Sequence, residues 1–476
     1  MSRTPPHGER RELPSSDAPR NHVLADTNIG ALLWRLSIPA TVGMMVMATY
    51  NLVDAIFIGR GVGSLGIGGL AVVFPLQLLT LAIGQFIGMG GASIISRALG
   101  SGDEKKAQRA FGNVLTLVLV ASAVITAAGF GFLDEILRVF GATEAIMPYA
   151  RDYMSIILWG TAFRCYAISH NNIIRSEGRA KVAMLTMFVG AVVNIILDPI
   201  FIFGLGMGMK GAAVATVIAQ TCSTAYIALY FASGRSCLRA RLADLRLSLP
   251  IVRETLAVGA ASLGRMMAGS VLVIVLNHSL GYYGGNLAIA AFGIIHRLLQ
   301  FMFMPIVGFG QALQPVAGFN YGARRYSMVR QSLRTSVTRS TVFSFGAFAV
   351  LMFLARPLVG FFTSDGELIA MAVPMLRVVA AAFPVVGVQM MGAVLFQALG
   401  HAAQALFLTL SRQVIFLIPL VLVLPRFIGF DGISWSFPAA DILATVVTLA
   451  MLAREFSRLR RVEAQANPEG QGFPGS

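Results

Sequence analysis

Residues 175–216 read RSEGRAKVAMLTMFVGAVVNIILDPIFIFGLGMGMKGAAVAT. The stretch opens on a basic cluster, Arg175, Arg179 and Lys181, and from there to Lys210 its one charged side chain is Asp198. A helix that crosses a bilayer needs about 20 mostly apolar residues. The run 180–204 is therefore predicted to span a membrane, and a glycine-rich turn leads into a second span at 211–232. Asn194 and Asp198 are one helical turn apart and share a face. Pro199 lacks an N–H, so the carbonyl of Ile195 loses its usual helical partner. An amide, a carboxylate and a free carbonyl within one turn suit a hard-oxygen cation site. They suit a proton site in a bent helix equally well, or an Asp that only caps the break.

The same pattern fills the chain. Of its 476 residues 56% are hydrophobic and 12% charged, whereas soluble domains carry about 45–50% apolar residues and roughly twice this charge. A water-soluble enzyme and a disordered protein are both excluded. Apolar runs fall near 31–58, 66–96, 112–133, 153–174, 180–204, 211–232, 254–279, 286–316, 334–355, 367–398, 402–425 and 432–453. The expected fold class is an all-α polytopic membrane protein of twelve transmembrane helices. Residues 1–28 are polar and rich in Pro, Ser and Arg, without a charged-then-apolar signal pattern, and read as a disordered cytoplasmic tail; 456–476 reads as a cytoplasmic tail.

The net charge of +15 would suit nucleic acid, but its placement argues for membrane topology. With the N-terminus inside, inner loops and tails hold about 26 of the 37 Lys and Arg, against about 6 in outer loops. Both termini and the basic linker 233–253 are then cytoplasmic. Cys165, Cys222 and Cys237 lack metal-type spacing and are expected to be free thiols.

The second half echoes the first at an offset of about 221 residues, a duplication common in transporters. GMGGASIISRALGSGDEKKAQR (88–109) matches GFGQALQPVAGFNYGARRYSMVR (308–330), NNIIRSEGRAKVAM (171–184) matches AVLFQALGHAAQAL (393–406), and MGMKGAAVAT (207–216) matches IGFDGISWSF (428–437). Six spans is even, so the halves share one orientation. The expectation is an N-lobe (29–232) and a C-lobe (254–455) of six helices each, related by a pseudo-twofold axis along the membrane normal, with a cavity between them.

Ionisable groups within hydrocarbon are costly and mark function by default. Asp54, in YNLVDAIFIG, shares one helix face with Met44, Met47 and Asn51, an adaptable apolar surface with a polar end. Asp54, Asp198, Tyr153 and Thr216 all fall in the outer third of their spans, so residues of four helices lie at one depth. Arg164, Arg265, Arg377 and Arg412 read as stems packed in the membrane with heads in cavity water. His296 is a candidate for the cavity because imidazole titrates near neutral pH, though a lone histidine in an apolar run reads equally as structural. The chain has no G-x-x-x-x-G-K-[ST] loop, no H-E-x-x-H and no G-x-S-x-G, which disfavours an ATP-driven pump and an intramembrane hydrolase. GVGSLGIGGL (61–70) joins two spans and reads as a tight outer turn rather than a dinucleotide loop.

The run 175–216, with IPATVGMMVMATYNLVDAIFIGRGVG (38–63) and PIVGFGQALQPVAGFNYGARR (305–325), resembles the hallmark of the multidrug and toxic compound extrusion (MATE) family, closest to its DinF/MepA-like bacterial branch. The likeness covers about residues 29–460. It implies cation-coupled export of amphipathic, often cationic drugs by alternating access. By motif, the family's N-lobe acidic pair falls on Asp54 and Asp198, and its accompanying polar residues on Asn194, Tyr153 and Thr216. The NorM-like branch has a carboxylate in span 7; here that stretch reads VGAASLGRMMAGSVL (258–272), with Arg265 and no carboxylate, so the coupling load falls on the N-lobe.

The expectation is a monomeric multidrug efflux antiporter of the bacterial inner membrane, conferring antibiotic resistance, with no cofactor and no nucleic-acid partner. Its partners are small-molecule drugs and the lipid bilayer. The coupling ion is H⁺ or Na⁺, sodium having a possible shell at Asp54, Asp198, Asn194 and Thr216. The substrate cavity is expected at Met44, Met47, Asn51 and His296. A lipid-linked precursor flippase of related architecture is the main alternative, but would call for several cavity cations, and the inner arginines are scattered. An intramembrane lipid-modifying enzyme would need clustered catalytic groups, and a passive channel gains little from duplicated lobes.

Overall fold

Asn28 starts the first long helix by accepting a hydrogen bond from the Ala31 N–H (3.0 Å), which satisfies one of the donors a helix N-terminus leaves free. The computed structural model describes residues 23–239 and 241–466. Its long helices are α1 (Ile29–Gly61), α2 (Ser64–Gly100), α3 (Glu104–Gly131), α4 (Met147–Ser176), α5 (Ala180–Pro199) and α6 (Gly208–Ala232) in the first half. The helix Leu249–Gly322 breaks at Gly285, whose φ of 66° is open to glycine, into α7 (249–284) and α8 (286–322). Then come α9 (Tyr326–Phe353), the bent α10 (Gly366–Ala380 with Phe383–Leu399, 49° apart), the segmented α11 (Ala402–Ile428) and α12 (Asp431–Ala466). Among the described residues nine helices, or ten with the bent pair, are long and apolar enough to cross a membrane. Dividing the broken helix and adding α4, whose polar side keeps it below that apolar threshold, gives the twelve expected spans.

The duplication is visible in small features. A short helix follows the third span of each half, Leu133–Val139 and Ala355–Gly360. The fifth span of each half contains a π-turn, Ile200–Gly204 in one and Ser411–Leu417 in the other. Within the C-lobe, Ser332, Ser336, Ser340 and Ser344 form a buried stripe along α9, and a Cβ on Gly387 of α10 would come within 2.7 Å of the Ser340 hydroxyl. Small residues of this kind let membrane helices approach closely.

Two parts of the expected tails are ordered. Val23–Ala25 forms a single helical turn whose Leu24 is fully buried, and residues 456–466 continue α12. Apolar Leu24 has a pocket beside Gly178, and the basic end of α12 is tied to α9 by Arg330–Glu463 (2.6 Å). The remaining tail residues, 1–22 and 467–476, lie outside the described residues, as does residue 240 of the linker. The linker itself is strapped to the N-lobe. Asn113 accepts from the Ser248 N–H (2.7 Å), and Thr116 donates to the Leu245 carbonyl (2.8 Å). Buried Glu177 accepts from Ser236 (2.6 Å) and Tyr230 (3.0 Å). Burial holds the Glu177 carboxyl above the usual carboxylate range, while these donors pull the other way.

The lobes meet on the basic face, where both described chain ends lie. Glycines make this possible: a Cβ on Gly100 would strike the Phe319 carbonyl, one on Gly322 the Arg97 carbonyl, and one on Gly90 the Thr255 carbonyl. Ser93 donates to the Gln397 carbonyl (2.6 Å), and Arg97 pairs with Glu254 (2.8 Å). One apolar cluster in this half takes residues from both lobes, among them Leu33 and Ile94 with Ala312 and Phe319. In the opposite half each cluster belongs to one lobe: Ile58, Val72 and Ile202 in the first, Leu276, Leu376 and Ile433 in the second. The cleft is thus closed on the basic face and parted on the other.

This arrangement carries a prediction. Glu254 also lies 3.6 Å from Lys106, and a half-exposed pair of this kind is worth about 1 kcal/mol. Glu254→Ala should raise the population open on the basic face about fivefold, read as longer spin-label distances between positions 101 and 324. An unchanged distribution would mean that the glycine contacts alone hold the face shut.

Candidate functional site

The polar residues of the N-lobe converge in the half away from the basic face. Asp54 on α1 and Asp198 at the end of α5 are both buried, and their carboxyl groups lie within hydrogen-bonding reach of each other. Asn194, one turn before Asp198, donates to its Oδ1 (3.1 Å) and reaches the Thr216 hydroxyl on α6 at 3.5 Å. Thr216 is in turn in contact with the Tyr153 hydroxyl of α4, which accepts from Gln77 of α2 (3.1 Å). A continuous polar chain therefore runs across five helices.

Local sequence explains the placement. Pro199 cannot donate to the carbonyl of Ile195, and the helix responds by widening into the π-turn Ile200–Gly204, a device common at functional sites. The widening follows Asp198 directly. A Cβ on Gly61 would strike Ile202, so the α1 end and the π-turn pack in contact.

Asp54 Oδ1, Asp198 Oδ2 and Asn194 Oδ1 are buried, with no hydrogen-bond partner among the described residues. No Lys or Arg forms an ion pair with either carboxylate there. Buried unpaired carboxylates are expensive, so the cluster suits a small cation or a shared proton. Among the described residues no group of three or more His, Cys, Asp and Glu side chains stands together as a metal site.

Beside this cluster lies an open-sided cavity of about 120 Å³ lined by α1, α2, α4, α5 and α6. Met47, Tyr50, Leu81 and Met187 supply apolar surface; Asn194 and Thr216 join it to the carboxylates, and Arg164 and Arg175 line it too. Met44 lies against the Gln311 amide (3.4 Å from its sulfur) at the lobe boundary. Asn51 and His296 are exposed and do not line this cavity; the His296 ring lies 6.1 Å from that of Phe292 in the C-lobe.

Residue patterns alone did not single out Gln77, Gln85 or Asp441. Asp441 of α12 is buried, and Arg412 of α11 binds both its oxygens. The reading of Arg412 as a stem with its head in water is therefore corrected, because a buried carboxylate within reach gives the guanidinium a better partner. Gln389 donates to the Asp441 carbonyl (2.6 Å) and to Thr445 (2.8 Å). The signal for Asp441 was available, as a lone charge in the apolar run 432–453.

A model of the MatE family matches residues 39–200 and 262–423, one copy per lobe. The chain belongs to the MatE family. It is 24% identical over 434 residues to the multidrug export protein MepA of Staphylococcus haemolyticus strain JCSC1435, covering 91% of this chain and 95% of that protein. Among solved structures it superposes on the MATE multidrug transporter DinF-BH, at 41% identity and a TM-score of 0.82, covering 94% of this chain and 98% of the other. It also superposes on an outward-facing conformation of a multidrug resistance MATE family transporter of the MOP superfamily, at 26% identity and a TM-score of 0.86, covering 95% and 100%. The twelve helices in two six-helix lobes are thus the architecture of this family. Both acidic residues fall inside the first matched copy, Asp198 near its end, and the last matched residue, Ile200, begins the π-turn.

Proposed function

We propose that this MatE protein is a cation-coupled multidrug efflux antiporter of a bacterial inner membrane, exporting amphipathic compounds, cationic ones among them. The observation that carries the reading is the buried pair Asp54–Asp198, with unpartnered oxygens, opening through Asn194 and Thr216 onto a Met-lined cavity. An adaptable apolar surface such as Met47, Leu81 and Met187 supply suits a promiscuous pocket, and the polar side chains that also line it, Asn194 and Thr216 among them, are where the ion site adjoins. The export function named for the MepA relative supports it.

No covalent chemistry is required. The basic face is cytoplasmic by charge distribution, so the cleft as described opens outward. A proton or sodium ion enters from outside and binds the carboxylates, weakening the hold on the drug, which leaves. The neutralised site then costs less to enclose, the lobes rock to the inward-open state, and the ion is lost to the cytoplasm as a new drug arrives. The ion gradient supplies the work, about 2.3 kcal/mol per charge per 100 mV of membrane potential. The protein works as a monomer.

Whole cells expressing the chain should keep a cationic dye at least severalfold lower than vector controls. An uncoupler that dissipates both ion gradients and the potential should erase that difference. Equal dye levels before uncoupling would end the efflux reading. Topology has its own check, in a background with Cys165, Cys222 and Cys237 removed. Thr143→Cys and Ser364→Cys should react with an impermeant maleimide on intact cells, whereas Ser101→Cys and Ser233→Cys should react only after permeabilisation. Labelling of Ser101→Cys from outside would invert the topology and the direction of transport with it.

A further inference from the structure

The two halves can be laid on each other by their glycines. Gly178 follows α4 and Gly400 follows α10 in the same conformation, with φ of 78° and 80°. Gly211 and Gly432 hold matching places at the start of α6 and α12. Counting from these marks gives each C-lobe side chain its N-lobe counterpart. Gln389, eleven residues before Gly400, corresponds to Ala167; Arg412, twelve after it, to Gly190; and Asp441, nine after Gly432, to Gln220. Ala167, Gly190 and Gln220 all line the N-lobe cavity. The C-lobe counterpart of that cavity is therefore the place where Arg412, Asp441 and Gln389 meet.

The two lobes handle charge in opposite ways. By the same count, from Gly43 and Gly264, Asp54 corresponds to Val275, and from Gly211 and Gly432, Thr216 corresponds to Phe437. Away from the ends of its apolar runs the C-lobe carries one carboxylate, Asp441. It is buried, and Arg412 holds both its oxygens. Asp54 and Asp198 each keep a buried oxygen with no partner among the described residues. Gln389, through the Asp441 carbonyl and Thr445, fixes the backbone that carries the C-lobe carboxylate. A buried carboxylate needs a cation, and a guanidinium supplies one through two directed bonds. Attachment to the same chain gives that cation a high effective concentration, so a free cation competes poorly with it.

We propose that Arg412 is a tethered cation that keeps a second cation site, built on Asp441, permanently filled. It excludes free ions and cationic cargo from the C-lobe and confines exchange to the N-lobe. A duplicated fold that offers two places for cargo thereby carries one cargo per rocking cycle. Arg412 is itself partly exposed, so its removal opens the site rather than leaving a sealed void. The proposal rests on the efflux reading in taking the N-lobe cavity as the cargo site.

The test counts bound tetraphenylphosphonium, a compact lipophilic cation, on the full-length protein in detergent, by equilibrium dialysis in alkaline buffer. Wild type should bind one per chain. Arg412→Ala should bind two, the second on the freed Asp441 carboxylate. Arg412→Ala combined with Asp441→Asn should return to one, and Arg412→Lys, which keeps a tethered charge, should stay at one. The combined variant leaves no unpaired charge of the pair behind, so it separates loss of the site from loss of the fold. Arg412→Gln takes the place of Arg412→Ala where the alanine variant is not recovered folded, and it too should bind a second cation. One cation per chain in whichever of these two is folded overturns the proposal. A second cation that persists in the combined variant also overturns it, because vacated space and not the carboxylate would then hold the probe. Wild type that binds two overturns it as well and leaves the efflux reading intact, since that is read from dye export in cells. Wild type that binds none, in cells that export no dye, fails the efflux reading and takes the proposal with it.

Discussion

Asp198→Asn and Asp54→Asn should each bring concentrative dye efflux down to the level of cells without the transporter, with the protein inserted and folded. The amide has nearly the size of the carboxylate, so the contact between Asn194 and position 198 (3.1 Å) survives in altered form and packing is kept. What is lost is the ability to take up and release one positive charge. Because the two carboxyl groups touch, they act as a unit, and the double variant should be no worse than either single one. Asp441→Asn is the contrast. Its buried carboxylate is occupied by the partly exposed Arg412, so removing the charge leaves that guanidinium with a weaker partner, at a cost of about 1–3 kcal/mol. That variant should lose membrane-inserted protein rather than coupling. Normal efflux by Asp198→Asn, together with dead but well-inserted Asp441→Asn, would move the coupling site to the C-lobe.

The fold was legible because hydropathy and charge placement are properties of the chain itself. All twelve runs correspond to helices, and the offset of about 221 residues reappears in the paired short helices Leu133–Val139 and Ala355–Gly360. The ends were less legible. Leu24 is buried by a loop around Gly178, a tertiary contact with no local signature, and the last turns of α12 are as polar as a free tail. At the site, depth arithmetic put Asp54, Asp198, Tyr153 and Thr216 at one level, and motif resemblance grouped them with Asn194. Nothing in the spacing said that Gln77 would meet Tyr153, because that contact depends on how α2 rotates against α4. Arg175 falls between the apolar runs 153–174 and 180–204, where hydropathy alone points to a loop. It is buried instead because α4 runs to Ser176 and α8 of the other lobe covers it through Gln311, a packing relation invisible in either helix alone.

An acid-outside pH gradient should drive efflux from proteoliposomes without sodium, and neutralising either Asp54 or Asp198 should remove the response. Two carboxyl groups in contact, buried and without a basic partner, hold a proton between them more readily than they hold two charges, and they titrate as a pair. Facing the acidic side, the pair takes up a proton, its attraction for a cationic drug falls, and the drug is released there. Facing the alkaline side, it loses the proton and recovers that attraction. The sign of the prediction follows: acid on the release side accelerates export, and reversing the gradient slows it. Each unit of pH difference supplies about 1.36 kcal/mol per proton, so one proton per cycle raises the limiting drug ratio about tenfold per unit. Sodium competes for the same oxygens, since Asp54 Oδ1, Asp198 Oδ2 and Asn194 Oδ1 are all unpartnered, and Thr216 stands beside Asn194. Transport that follows a sodium gradient and ignores pH between about 6 and 8 would mean that both carboxylates stay ionised through the cycle. The cluster would then be a sodium site, with the two negative charges held together by the ion between them.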